Sequence, residues 1–127
     1  MKTNILSWIL RIVSAVIFLQ TLFFKFTASD ESVYIFQMLG IEPFGRIGSG
    51  IAELIASILI LFPRTTIYGA LLGMGIMAGA IVSHLFVLGI EVRNDGGLLF
   101  GLALVAFACC AVLAYLNKRE IPFLKLT

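Results

Sequence analysis

The sequence predicts an all-α integral membrane protein: a transmembrane bundle of four helices with a short interfacial helix in its first outer loop. Three observations carry this prediction. Hydrophobic residues make up 61% of the 127 positions and charged residues only 13%, against roughly 45–50% and ~25% in an average soluble domain. The mean hydropathy is +1.10, so lipid must solvate most of the surface. The apolar residues also gather into four runs of about bilayer length rather than alternating with polar ones.

The runs cover residues 5–26, 47–62, 67–90 and 96–116 of a single domain, 1–127. A span needs roughly 17–25 residues at a rise of about 1.5 Å each. The first, third and fourth runs meet that length. The second has 16 residues before Pro63, so it must borrow from residues 43–46 or thin the bilayer locally. Soluble bundles keep a polar face on each helix, and the stretches 76–81 and 98–114 have none. Lys2 and the first run imitate a signal peptide. The run, however, outlasts the roughly 7–15 residues of a signal core, and no A-x-A cleavage site follows it, so it reads as a retained span.

The first loop is more than a linker. Asp30 suits a helix N-cap, Gly40 suits the residue after a helix end, and Pro43 terminates the segment. Residues 31–39 between them include Val33, Tyr34, Ile35, Phe36, Met38 and Leu39. That surface is expected to lie in the membrane interface as a short helix, and to act as a lid over the mouth of the bundle. The basic stretch 117–127 is expected at the cytoplasmic surface.

Orientation follows from Lys and Arg in short loops. Lys2, Arg64, Lys118, Arg119 and Lys125 fall on one side, and Lys25, Arg46 and Arg93 on the other. Five against three places both termini in the cytoplasm, with Arg11 snorkelling to the same side. The membrane expected is a cytoplasmic membrane of the bacterial type.

Charged groups at membrane depth cost about 2.5–3.5 kcal/mol each on insertion scales, so they face protein or water. Gln20, Glu53 and His84 each lie six residues inside the outer end of a run, or about 9 Å deep. Lys25 is one turn higher. Four ligand-binding candidates on three helices therefore fall near one level. On the first helix Ser7, Arg11, Ser14, Thr21 and Lys25 share one line, with Gln20 about 140° away from Lys25. Gly50, Glu53 and Ser57 share a face of the second helix, and Gly73, Met77, Ala80, His84 and Glu91 a face of the third.

Each candidate also has a plainer reading. Glu53 pairs with Lys25 or Arg46 merely to hold the bundle; His84 is a hydrogen-bonded packing residue; Lys25 snorkels outward; Gln20 glues helices. Three Gly-x-x-x-Gly patterns, beginning at Gly69, Gly75 and Gly97, fit packing within one chain, although a homo-oligomer would use the same pattern. Cys109 and Cys110 are adjacent, which strains an ordinary bridge, and they read as packing residues.

A net charge of +2 without an aromatic-interleaved basic patch argues against nucleic acid. No phosphate loop, nucleophile elbow, HExxH or CxxCH motif occurs. One His and one Glu cannot close a metal site.

The residues now assembled resemble the DoxX family of small four-helix membrane proteins over about residues 9–116. The first helix ends Leu19-Gln20-x4-Lys25-Phe26. The second places Glu53 within the stretch 51–60, apolar apart from Glu53 and Ser57. The turn Phe62-Pro63-Arg64-Thr65 and a Gly/Ala-rich third helix follow. The resemblance implies that Glu53 and Arg64 match the family's acidic residue in helix two and the Arg after it. It also implies a link to quinone and redox complexes, because the family takes its name from a subunit of a thiosulfate:quinone oxidoreductase. A quinone is the cofactor implied, and a soluble or membrane redox protein the partner. The lack of paired thiols argues against a thiol relay. Three functions remain open: a quinone- or redox-associated membrane subunit, which is the preferred reading; a module that binds or transports a small molecule or lipid headgroup; and a non-catalytic assembly scaffold. Whether the protein is an enzyme is left open by the residues themselves.

Overall fold

A computed structural model of the protein describes residues 2–42, 44–90 and 96–117. Its elements are α1 (Lys2–Phe26), α2 (Asp30–Met38), α3 (Phe44–Leu61), α4 (Thr66–Ser83) with a π-helical turn (His84–Leu88) at its end, and α5 (Leu98–Leu116). Among the described residues there is no strand. Four segments are long and apolar enough to cross a membrane: Ile5–Phe26, Phe44–Leu61, Thr66–Leu88 and Leu98–Leu116. The short second run gains its length by starting at Phe44, which brings it to 18 residues, or about 27 Å.

The four long helices form a ring in which α1 packs on α3 and α5, and α4 packs on the same two. Phe18, Ile60, Ile67, Cys110 and Leu113 fill the centre and are fully or almost fully buried. Small residues let the backbones close in around them. A Cβ at Gly69 would sit 2.7 Å from the Ile60 nitrogen and 2.8 Å from the Ala56 oxygen, and one at Gly73 would sit 2.7 Å from Cys110 Sγ. Large apolar side chains cover the outside instead: Ile9, Val16, Phe44, Leu71, Phe86 and Leu104 are all exposed. Acyl chains solvate such a surface without cost, whereas water would not.

Two ends of the bundle can be told apart. At the turn end, α3 and α4 are joined through residues 62–65. Thr66 Oγ1 donates to the Ile60 oxygen at 3.0 Å and Thr65 Oγ1 to the Leu59 oxygen at 2.8 Å. These bonds satisfy carbonyls that the end of α3 leaves open. Arg64 is exposed in this turn. Arg11, expected to snorkel, is buried in this half, with its guanidinium 4.7 Å above the Trp8 ring.

At the other end, where the sequence leads one to expect a lid, α2 lies across α1, α3 and the π-helical turn. The N-cap of α2 is Ser29 rather than Asp30, because Ser29 Oγ accepts from the Ser32 N–H at 3.2 Å. Asp30 becomes the first helical residue, where a negative charge suits the helix dipole. Gly40 follows the helix end with φ +76° and donates its N–H to the Gln37 oxygen.

The third span departs from the expected uninterrupted α-helix. From His84 it widens into a π-helical turn and stops at Gly89. The Gly89 N–H bonds the His84 oxygen at 2.7 Å, and Gly89 has φ +81°, a conformation natural to glycine. Pro43, Glu91, Arg93, Asp95, Lys118, Arg119 and Lys125 lie outside the described residues, as does nearly all of 117–127.

Candidate functional site

The final turn of α1 carries Thr21 and Lys25 on the face that looks into the bundle. Ala28, at φ +53°, helps to stop this helix, and the chain turns back into α2. Lys25 does not reach outward; it turns down to Glu53 on α3. Glu53 is 1% exposed, and both of its oxygens are engaged. Oε1 accepts from Lys25 Nζ and Oε2 from Thr21 Oγ1. A carboxylate removed from water needs such partners. One turn further along α3, Ser57 Oγ donates to the Glu53 carbonyl at 2.8 Å.

Arg46 takes no part in this pair. It is buried, donates through Nε to Glu42 Oε1 at 2.8 Å, and reaches the Lys25 carbonyl through Nη1. A cation thus meets a carbonyl at the C-terminal end of α1 that otherwise accepts from the Ala28 N–H at 3.3 Å, where the helix dipole favours it. Arg46 fixes where α1 ends and so how Lys25 is presented to Glu53.

His84 arrives from the opposite wall. Its own N–H still bonds the Ala80 oxygen in the regular α4 register; the π-helical turn starts at its carbonyl, and π-turns of this kind recur at functional sites. The ring is 5% exposed. Its Nδ1 lies 3.0 Å from the Gly89 oxygen, and Phe100 of α5 meets it edge-on with centroids 5.5 Å apart.

These groups surround one cavity of about 570 Å³, and Gln20, Lys25, Glu53 and His84 all line it. Gln20 is itself exposed and stands at the rim. Most of the remaining wall is apolar, with Ile17, Phe24, Ile76, Leu99 and Leu102 among the contributors. From above, α2 contributes Phe36 and Ser32, both buried. Lys25 Nζ sits 5.5 Å from the Phe36 ring centroid, within range for a cation–π contact. The volume and the mixture of apolar walls with a few polar groups suit a small-molecule site.

Thr21, Ser32, Phe36 and Phe100 belong to this constellation without standing out in the sequence. Thr21 had a signal in its spacing, one turn before Lys25 on the same helix line. Phe36 lay in the apolar segment expected over the mouth, but Phe100 had no signal, since nothing distinguishes it from other apolar residues. Arg64 is remote from the cavity, in the turn between α3 and α4. Cys109 and Cys110 are free thiols buried in α5, and neither lines the cavity. Among the described residues no three His, Cys, Asp or Glu side chains come together as a metal cluster would require.

No curated protein and no solved structure matches the chain. The DoxX family profile matches residues 6–87, a stretch that holds Gln20, Lys25, Glu53 and His84 and runs from α1 into the π-helical turn. On that match over most of its length, together with four membrane-length helices in one bundle, the chain is a multi-pass membrane protein of the DoxX family.

Proposed function

We propose that the protein is a membrane subunit of a redox system that holds a quinone-like amphipathic ligand in the cavity beneath α2. One observation carries this reading: an ion pair between Lys25 and the buried Glu53, together with His84, shares an otherwise largely apolar cavity of about 570 Å³. A polar head needs hydrogen-bonding groups at one level, and an apolar ring and tail need the walls that Ile17, Phe24 and Leu102 provide. Lys25 keeps ammonium protons beyond the one given to Glu53, and Gln20 at the rim both donates and accepts. A quinone, when bound, supplies two-electron, two-proton chemistry. The chain's own part is to bind the head, exclude water and hold protons near it. The electron partner is a soluble or membrane redox protein.

The lid end faces away from the cytoplasm in this reading. Both termini are cytoplasmic and the membrane is a bacterial-type cytoplasmic membrane, as the five-to-three Lys/Arg count favours. A C-terminal reporter active only outside the cell would reverse that orientation.

Native mass spectrometry of the detergent-purified protein tests the ligand. The expected result is a retained lipophilic molecule, displaced by decyl-benzoquinone or its reduced form. A protein that carries no such molecule and binds neither form ends the proposal.

A further inference from the structure

The donors and acceptors around the cavity are unequally committed. Both oxygens of Glu53 already accept within the protein, one from Lys25 and one from Thr21. Gln20 can present either end of its amide and so does not discriminate. His84 is different, because its surroundings decide its tautomer. Nδ1 lies 3.0 Å from the Gly89 carbonyl oxygen. A carbonyl oxygen only accepts, so Nδ1 must carry the proton and donate it. In the uncharged ring Nε2 then has a lone pair and no proton to give.

That tautomer is held from two directions. The Gly89 N–H bonds the His84 carbonyl at 2.7 Å while the Gly89 carbonyl accepts from the His84 ring. The π-helical turn is thus closed on itself by a reciprocal pair between the same two residues. Gly89 can take part because its φ of +81° turns its carbonyl back toward the helix. Phe100 packs edge-on against the ring and limits its rotation. The nitrogen left for a ligand in the cavity is Nε2, a fixed acceptor.

We infer that the site selects the reduced form of its ligand, a lipophilic hydroquinone whose hydroxyl donates to His84 Nε2. This rests on the quinone-type reading above and adds the oxidation state to it. A quinone carbonyl opposite Nε2 sets acceptor against acceptor, and leaves both buried without a bond. The hydroquinone presents an O–H at the same place in a ring of the same size. Its other hydroxyl accepts from Lys25 less strongly than a quinone carbonyl would, but it also donates to a free lone pair of the adjacent Glu53 carboxylate, so Lys25 does not cancel the preference. Sites built to pair a hydroxyl reject the analogue that lacks it, and one lost buried hydrogen bond corresponds to about 10- to 100-fold in affinity.

The test compares decyl-benzoquinone with its dithionite-reduced hydroquinone, each dialysed anaerobically to equilibrium against the purified protein. The expected result is that the hydroquinone binds about 10- to 100-fold more tightly. His84→Asn is the matching variant. Its side-chain amide nitrogen stands where Nδ1 stood and can still donate to Gly89, but nothing replaces Nε2. It should bind the two forms with equal affinity. Equal binding of both forms by wild type, or tighter binding of the quinone, overturns the inference while the site itself survives. A preference that persists in His84→Asn overturns the role of Nε2. If neither form binds, the site reading falls and takes the inference with it. The wild-type ratio needs no variant, so a poorly folding substitution cannot hide the answer.

Discussion

Glycine does opposite things in the two halves of α4. Near the turn end, Gly69 and Gly73 bring backbones together, and an added Cβ at either would lie within 2.8 Å of a neighbouring atom. Toward the lid end, Gly75 and Gly79 face open space, with nothing within 4 Å of an added Cβ, and both line the cavity. The sequence pattern is the same, Gly-x-x-x-Gly, yet one copy closes the bundle and the next leaves it open. The polar residues divide less cleanly. Hydroxyls in both halves bond carbonyls of their own helix, as Ser14 and Ser83 do, but only toward the cavity does one of these hydroxyls, that of Thr21, also meet a carboxylate, Glu53 on α3. The turn half is a packed core that stabilises the fold. The lid half is a chamber whose polar groups are held by that core, and stability and binding should therefore be separable.

The largest effect that would test this separation is at the ion pair. Glu53→Leu leaves the Lys25 ammonium in the bundle without its carboxylate, and breaking a buried pair from one side costs about 3–5 kcal/mol. Removing both charges, as Lys25→Met with Glu53→Leu, should recover most of that loss, because the uncompensated charge is gone. Ligand retention should not recover with it. Equilibrium unfolding in mixed detergent, read beside native mass spectrometry, reports both quantities. A Glu53→Leu protein with unchanged stability and unchanged ligand content would leave the pair with neither a structural nor a binding role.

How much of this arrangement could be read in advance depends on which physical signal each part leaves. The four spans were legible because hydropathy and length are set by the bilayer; for the short second run, length alone left borrowing residues 43–46 and local thinning both open, and the helix starts at Phe44. The common depth of Gln20, Glu53 and His84 could be counted because every helical residue rises by the same amount. Side-chain direction was less accessible. Lys25 can point up or down from one backbone position, and whether Glu53 would pair with Lys25 or Arg46 turned on how α3 is rotated. The one-residue error at the start of α2 arose because Ser29 and Asp30 are both good caps. The π-helical turn left no periodic trace, since a single widened turn barely alters the spacing of apolar residues. The apolar run continued to residue 90 and so carried past Gly89, where the helix stops.

A second test concerns α2. Phe36 is buried against the cavity and Met38, on the same short helix, is 50% exposed. If α2 opens as a lid, a cysteine at 36 should react with a membrane-impermeant maleimide only in the open state, and a cysteine at 38 in both. An opening free energy of about 1.4–2.8 kcal/mol makes the first slower by about 10- to 100-fold, and a bound ligand should slow it further. Equal rates at the two positions would mean that α2 stands open and that the chamber has no lid.

The smallest stability effects give the sharpest contrast between the halves, because they use one substitution at two places on one helix. Gly69→Ala puts a methyl group against the backbone of α3, at the Ile60 nitrogen and the Ala56 oxygen. Backbone inside a packed helix pair cannot step aside as a flexible side-chain tip can, so overpacking should cost about 1–3 kcal/mol. Gly79→Ala meets no atom. It should leave the bundle as stable as before, or more stable by about 0.4–1 kcal/mol through the lower backbone freedom of the unfolded chain. Its methyl group instead projects from a residue that lines the cavity, so any loss should appear in ligand binding alone, and Gly79→Leu should deepen that loss by filling the chamber. Thermal unfolding and quinone binding, measured on the same preparations, should therefore move in opposite patterns: stability falls and affinity holds for Gly69→Ala, while affinity falls and stability holds for the Gly79 pair. If Gly79→Leu keeps full affinity, the ligand does not occupy the chamber between α1 and α4, and the division of the bundle into a supporting half and a binding half loses its basis.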